Sequence, residues 1–216
     1  MSLPPSLRLA LAFLSAAPAA PVLAQWALPG DSPSAQRQEA PPAAIRIAEP
    51  AADEIVLIVN NNAAFGNHAG IFAGSRLSDP AGSYVHFRQN ESGWRPGLAD
   101  YVRFQSSDGM HIRSYRFRVA PAVLAAILAR LPEADGAKPL FCATAVQNSV
   151  AGVGPFAGIP EAGWTTPARL AALLDQLLAT PGAPGICQLP DGTPCPATGE
   201  EPLQTRLDPT AAPSPQ

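Results

Sequence analysis

The chain of 216 residues has only three cysteines and three histidines, and it carries no basic excess. A formal net charge of −3 argues against a general nucleic-acid-binding protein, which would normally be basic. After the first two dozen residues, no segment reaches the run of about 18 apolar residues that a membrane-spanning helix needs. A Gly-x-Ser-x-Gly elbow and a glycine-rich phosphate loop are also missing, which argues against a serine hydrolase of that type and against a nucleotide site.

The first 24 residues have the pattern of a secretory signal peptide. Arg8 supplies a short positive region, residues 9–17 form an apolar run, and residues 22–24 fit the small-residue rule for cleavage before Gln25. The apolar run is too short to cross a bilayer. The sequence therefore predicts an exported protein, periplasmic or secreted, without a membrane span after cleavage.

The prolines divide the rest of the chain. Most of the 26 prolines lie outside residues 52–180, which carry most of the strand-like and helix-like patterns. We expect residues 25–51 to be a flexible Ala/Pro-rich leader and residues 181–216 to be a Pro/Gly-rich tail without regular structure apart from a loop between Cys187 and Cys195. A block of roughly 130 residues can bury a sufficient core without a metal ion. The sequence thus predicts one folded domain.

The patterns within this block predict strands first and helices afterwards. Short β-branched or alternating segments indicate five strands, at residues 54–60, 68–74, 83–88, 101–105 and 112–119. Helices are expected at residues 121–131, 142–150 and from Pro167, where Thr166 is a suitable cap. This last helix has an apolar stripe made of Leu170, Leu173, Leu174, Leu177 and Leu178. The order predicts an α+β domain with a small antiparallel sheet packed with helices.

The three cysteines divide into a pair and a single residue. Cys187 and Cys195 lie close together in a turn-rich segment, so we expect them to form a disulfide in an oxidising compartment. Cys142 is then either a reactive thiol or a buried structural cysteine. It stands where a turn changes to a helix, and the free N–H groups and dipole of a helix start favour a thiolate and can bind an oxyanion. This position favours the reactive role.

A reactive thiol needs a base, and the chain offers His68, His86 and His111. If the strands that carry His68 and His86 are neighbours, His86 can orient the ring of His68, which would act as the base for Cys142. The alternative for His86 is a histidine whose hydrogen bonds are satisfied within the sheet, and His111 is expected to be exposed at a turn. No short spacing suited to metal chelation occurs, so we predict no metal and no cofactor.

Four segments resemble circularly permuted papain-like enzymes of the NlpC type. Residues 68–72 (HAGIF) match the strand that the family's histidine opens, and residues 141–146 (FCATAV) resemble its cysteine segment. Residues 164–170 (WTTPARL) are similar to the threonine-proline and helix that often follow. Residues 84–87 (YVHF) are similar to a second histidine motif in the lecithin–retinol acyltransferase branch, although that branch has Asn-Cys-Glu-His where this chain has Phe-Cys-Ala-Thr.

The resemblance implies a permuted papain-like fold and a thiol hydrolase or acyltransferase. Cys142 would be the nucleophile, His68 the base and His86 the residue that orients the base. An exported enzyme of this kind would cleave amide or ester bonds of the cell envelope, in a peptide, glycopeptide or acyl substrate. The alternative is a non-catalytic envelope protein that binds a peptide or glycan on the same fold, with Cys142 only structural.

Overall fold

The computed structural model describes residues 44–64, 66–131 and 141–196. The predicted signal peptide at residues 1–24, the leader up to residue 43 and the tail from residue 197 lie outside the described residues. They remain predictions from the sequence.

The described residues form one five-stranded antiparallel sheet around strand β1 (Glu54–Asn60). The order across the sheet is β3-β2-β1-β4-β5, and every neighbouring pair is antiparallel. The other strands are β2 (His68–Ala73), β3 (Arg76–Ser78), β4 (Ile112–Arg118) and β5 (Gly185–Gln188).

Five α-helices are described, and with the sheet they make an α+β domain, as predicted. None of them is long and apolar enough to cross a membrane. They are α1 (Ser83–Arg88), α2 (Leu98–Gln105), α3 (Pro121–Leu128), α4 (Cys142–Val150) and α5 (Pro167–Leu178), with short 3₁₀ turns at Ser106–Asp108 and Gly154–Phe156.

The sheet is buried on both faces because side chains alternate along each strand. From β1, Ile55, Leu57 and Val59 join a core that also contains buried residues of α3, α4 and α5. Val56 and Ile58 point the other way, into a second core with residues of α1 and α2. Complete burial of a Val, Ile or Leu side chain is worth about 1.5–3 kcal/mol, so β1 anchors both layers.

Helix α5 has the predicted start and the predicted buried face. Thr166 Oγ1 accepts the N–H of Arg169 at 3.1 Å, which satisfies one of the free donors of the first turn. Pro167 occupies the first turn, and Leu170 and Leu174 are fully buried against the sheet. The prediction of this helix from its leucine spacing is confirmed.

Two predicted strands are wrong: residues 83–88 form helix α1, and residues 101–105 belong to helix α2. Alternation within residues 101–105 suggested a strand, but the buried residues of α2 have the spacing of a helix. They are Leu98, Tyr101, Val102 and Gln105, at positions i, i+3, i+4 and i+7.

Helix α1 forms because of the turn that precedes it. Gly82 adopts a left-handed backbone with φ of 72°, and its carbonyl accepts the N–H of His86 at 2.8 Å. The carboxylate of Asp79 accepts the N–H of Tyr84 at 2.9 Å. These local hydrogen bonds favour a helix at residues 83–88, although Tyr, Val and Phe residues generally favour strands.

The end of the predicted leader belongs to the folded domain. Ile47 is buried in the same core as α1 and α2. The N–H of Arg46 donates to the carbonyl of Pro190 at 2.9 Å, and the guanidinium of Arg116 donates to the carbonyl of Ala48 at 2.7 Å. The segment from residue 44 to residue 51 is therefore bound to the sheet rather than a flexible leader.

The start of the predicted tail is also structured. Strand β5 pairs with β4 at the edge of the sheet, with Cys187 opposite Tyr115. Cys187 and Cys195 form a disulfide with their Cα atoms 5.3 Å apart, so this prediction is confirmed. Residues 185–188 form a strand that was not predicted, because local sequence does not reveal the strand with which they pair.

Gly70 of β2 makes room for the side chain of Tyr101. A Cβ atom at position 70 would lie 2.2 Å from the hydroxyl oxygen of Tyr101, a fully buried residue of α2. The absence of a side chain here lets α2 approach the sheet closely.

We predict that Gly70→Ala lowers the free energy of unfolding by about 1–3 kcal/mol, because the added methyl group overpacks the core. Urea unfolding measures the change. Gly158→Ala is the matched control, since a Cβ there would meet no heavy atom within 4 Å. Equal stabilities of the two variants would contradict the close approach of Tyr101 to β2.

Candidate active site

His68 lies at the end of the sheet, where both helical layers are within reach. It is the first residue of β2, opposite Asn60 of β1, and only 7% of its surface is exposed. By strand alternation it shares a face with Gly70 and Phe72, on the side of α1 and α2. Helix α4, which begins at Cys142, packs against β2 with its buried residues in the opposite core. The ring of His68 can therefore contact groups from both layers.

The thiol of Cys142 and the imidazole of His68 interact closely enough to shift each other's pKa, that of the thiol downward and that of the imidazole upward. The backbone N–H groups of Ala69, the next residue of β2, and of Ala143, in the first turn of α4, also act to lower the pKa of this thiol. Cys142 is 4% exposed and is the free cysteine of the chain. The structure thus brings together the two residues that the sequence analysis assigned as nucleophile and base, although 74 positions separate them along the chain.

A carboxylate completes the arrangement on the other side of the ring. Asp79 Oδ1 lies 2.5 Å from His68 Nε2, and Asp79 is fully buried. Its second oxygen, Oδ2, accepts the N–H of Tyr84 at 2.9 Å. Because Nε2 is bonded to Asp79, Nδ1 is the ring nitrogen left for the sulfur of Cys142. The order of contacts is carboxylate, imidazole, thiol, as in a catalytic triad.

The short strand β3 places Asp79 at this point. Ser78, its last residue, pairs with Ile71, so the next residue continues the register beside Gly70 and on the face of His68. The sequence patterns predicted neither β3 nor a role for Asp79. The signal that could have found it is a hairpin around Gly74, whose φ of 56° suits a tight turn.

Charge in the site favours a thiolate beside an imidazolium. Burial alone lowers the pKa of His68, but the hydrogen bonds and negative charges of Asp79 and Cys142 outweigh it and raise that pKa from 6.5 to about 9. Burial raises the pKa of the Cys142 thiol. The hydrogen bond and charge of His68, with the N–H groups of Ala69 and Ala143, act more strongly and leave the thiol pKa below its ordinary value of 9.0.

His86 does not lie beside His68 on a neighbouring strand. It is exposed on helix α1, in the last turn, because the predicted strand at residues 83–88 is a helix. The carboxylate of Asp79 occupies the position next to the ring that the sequence analysis gave to His86. His111 is exposed, as expected, and its backbone N–H donates to Asn62 Oδ1 at 3.0 Å.

No family model, curated protein or solved structure matches this chain. The chemistry of the site must therefore be inferred from its own geometry. Within residues 44–64, 66–131 and 141–196, no group of three or more His, Cys, Asp or Glu side chains is arranged to hold a metal ion. A bonded thiol, imidazole and carboxylate can perform nucleophilic acyl transfer without one.

Exposed aromatic residues adjoin the elements that carry the thiol. Phe141, directly before Cys142, is 38% exposed, and Trp164 is 65% exposed. The segment of Trp164 is held against α4, because the N–H of Thr165 donates to Thr144 Oγ1 at 2.9 Å. A separate cleft of about 390 Å³ lies between α5 and β5, beside the disulfide, and Cys142 does not line it. Phe141 and Trp164 are thus two exposed aromatic side chains on segments that adjoin α4.

We predict that Asp79→Asn raises the pKa of the Cys142 thiol. Without the carboxylate charge the imidazolium is less stable, so the thiolate that it stabilises forms only at higher pH. The ultraviolet absorbance of the thiolate measures the change, with Cys142→Ala as the blank. The tyrosines do not interfere near neutral pH, because the pKa values of Tyr84, Tyr101 and Tyr115 are all raised, to about 12 for Tyr84.

Asp53→Asn is the control for this titration. Asp53 is an exposed carboxylate just before β1, at the end of the sheet away from His68. Its removal should leave the titration unchanged. A thiolate titration that is the same in Asp79→Asn and the wild type would show that Asp79 does not support the charged pair.

Proposed function

We propose that this protein is an exported thiol hydrolase or acyltransferase that cleaves amide or ester bonds of the cell envelope. The observation that supports this best is the bonded series of Asp79, His68 and Cys142, with the thiol pKa lowered and the imidazole pKa raised to about 9. Strongly shifted pKa values in a specific cluster of polar groups are typical of catalytic sites.

The first half of the proposed reaction forms an acyl-enzyme. The thiolate of Cys142 attacks the substrate carbonyl carbon, and the C=O electron pair moves to oxygen. When the tetrahedral intermediate collapses, the bond to the leaving group breaks, and protonated His68 gives its proton to the departing amine or alcohol. The backbone N–H of Cys142, at the start of α4, is proposed to donate to the oxyanion.

The second half releases the acyl group. Neutral His68 takes a proton from water, or from an acceptor hydroxyl or amine, as the oxygen or nitrogen attacks the thioester. The C–S bond breaks, and the sulfur leaves as the thiolate beside the newly charged imidazolium. Asp79 keeps the ring in one tautomer and orientation throughout both steps.

A permuted papain-like fold is part of the proposal. It is supported by the chain order, in which the histidine strand precedes the cysteine helix. The packing of α4 against β2, which joins the two halves of the site, also supports it. The role of orienting residue is now proposed for Asp79 in place of His86.

Peptidoglycan cross-peptides are the first candidate substrates and acyl groups of the envelope the second. The predicted signal peptide supports an envelope substrate, and the disulfide Cys187–Cys195 is compatible with an oxidising compartment. The exposed rings of Phe141 and Trp164 could pack against a sugar ring or an acyl chain of such a substrate.

One observation favours a second candidate function. Cys142 is 4% exposed, as a structural cysteine in a core would be. On this reading the protein is a non-catalytic envelope protein that binds a peptide or glycan on the same fold. The lowered pKa of the thiol, caused by His68 and the N–H groups of Ala69 and Ala143, favours the enzyme, because a purely structural thiol does not need it.

We predict that Cys142→Ser and His68→Ala each reduce kcat/KM by roughly 10³-fold or more, since the residues of such a unit depend on one another. The assay follows peptides released from purified peptidoglycan by mass spectrometry, and the release of a chromophore from an activated ester. His86→Ala, on the exposed face of α1, should retain wild-type activity. Equal loss in all three variants would point to a folding defect rather than to the proposed chemistry.

Alkylation separates the two candidate functions. For an enzyme, iodoacetamide labels Cys142 in the native protein near neutral pH, and His68→Gln slows the labelling because fewer thiolates form. Labelling that requires denaturant would favour the binding protein. The disulfide Cys187–Cys195 leaves Cys142 as the single reactive position.

A further inference from the structure

Tyr101 of α2 lies directly behind the proposed triad. Its hydroxyl donates to Asp79 Oδ1 at 3.3 Å, and this is the same oxygen that His68 Nε2 contacts at 2.5 Å. The side chain is fully buried, with its ring centroid 6.4 Å from that of His68. The missing side chain of Gly70 provides the space for the hydroxyl group.

A chain of buried and partly buried amides is consistent with the direction in which this hydroxyl donates. Asn62 donates to Asn60 Oδ1 from its backbone and its side chain, so Asn60 presents its amide N–H groups to its other neighbours. Asn60 Nδ2 then donates to Gln105 Oε1 at 3.3 Å, which leaves the N–H₂ group of Gln105 to face Tyr101, where it acts to lower the pKa of the phenol. Because the phenolic oxygen is an acceptor there, its own proton is directed to Asp79.

We infer that Tyr101 is a positioning residue that holds Asp79 Oδ1 beside His68 and limits how strongly this carboxylate stabilises the charged imidazole ring. This role rests on the proposed thiol chemistry. The hydroxyl proton withdraws negative charge from the oxygen that faces the imidazolium. Charges in a buried site are weakly screened. One such neutral hydrogen bond therefore changes the pKa of the neighbouring imidazole measurably.

The titratable groups around His68 lie on or beside four elements, namely β3, α4, α2 and α1. His68 is contacted by Asp79 after β3 and by Cys142 of α4, while Tyr101 reaches it through Asp79. The ring of Tyr101 packs edge-on against Tyr84 of α1 at a centroid distance of 5.1 Å. The hydroxyl of Tyr84 is bonded to Asp100 at 2.8 Å and not to Asp79. Tyr101 is thus the phenol that acts on Asp79.

Tyr101→Phe tests the inference, because it keeps the ring and removes only the hydroxyl. We expect the His68 titration, followed by NMR of the ring protons, to move up by about half a pH unit, and the thiolate titration of Cys142 to move down. The matched control is Tyr115→Phe, which removes a similar but partly buried bond, from the buried Tyr115 in the other core to Asp175 Oδ1 at 2.9 Å. Titrations in Tyr101→Phe that match those of the wild type and of the control would overturn the inference.

Fluorotyrosine in place of tyrosine gives a second test, in which residue 101 keeps its hydroxyl group. Its more acidic hydroxyl is a stronger donor, so the His68 titration should move down, opposite to the effect of the deletion. The same incorporation in a Tyr101→Phe background should give no such change. If the ring of Tyr101 had only a structural role, hydroxyl removal and fluorination would not shift the His68 titration in opposite directions. The effect of fluorotyrosine would also not depend on residue 101. An absent or upward change in the otherwise wild-type chain would overturn the inference.

These titrations require no substrate, so failures of the two proposals can be told apart. If the titrations move as expected and peptidoglycan and ester are both untouched, the tuning by Tyr101 stands and the proposed hydrolase does not. If the wild type is active and its pH profile of kcat/KM is the same in Tyr101→Phe, the hydrolase stands and the role of Tyr101 is wrong.

Discussion

The short contact between His68 and Asp79 is the constraint on which the rest of this site depends. Both groups are buried, and moving a charge from water into a protein interior costs several kcal/mol per ion. The cost is offset only because each charged group has several partners: Asp79 accepts from His68, Tyr84 and Tyr101, and His68 also contacts the sulfur of Cys142. Loss of one partner would leave the remaining charged groups buried without a compensating contact. The sheet and its two helical layers are therefore coupled at this point.

The layered architecture explains why the site lies at the end of the sheet. A strand side chain normally points to one face, and the carboxylate and the thiol come from opposite sides of this sheet. Only at its end can one ring contact both. His68 begins β2, the β2–β3 hairpin carries Asp79 back to the same end, and α4 starts there with Cys142. The disulfide Cys187–Cys195 closes the opposite edge of the sheet, beyond β4, and takes no part in the site.

Apolar periodicity was sufficient to predict the strands and helices that have one clear period. The β-branched run of β1, the alternation of β4 and the leucine stripe of α5 were predicted within about one residue of their bounds. The prediction was wrong at α1 and α2 because five or six residues fit both periods. For α2 the decisive residue was Leu98, which lies outside the window that looked like a strand. Strands β3 and β5 were missed because three or four residues at a sheet edge carry almost no periodic signal of their own.

The sequence by itself determined the α+β class, the disulfide, and the candidacy of Cys142 and His68, because residue type and position at an element start already restrict their chemistry. Only the tertiary structure decided which group supports His68. Asp79 and His86 are both plausible partners by residue type, and they are seven positions apart. The choice depends on whether residues 83–88 continue the sheet or turn into a helix, and on the register of a three-residue strand. The helix depends on the left-handed turn at Gly82 and on the Asp79 carboxylate, and the register depends on pairing with β2; residue type alone specifies neither.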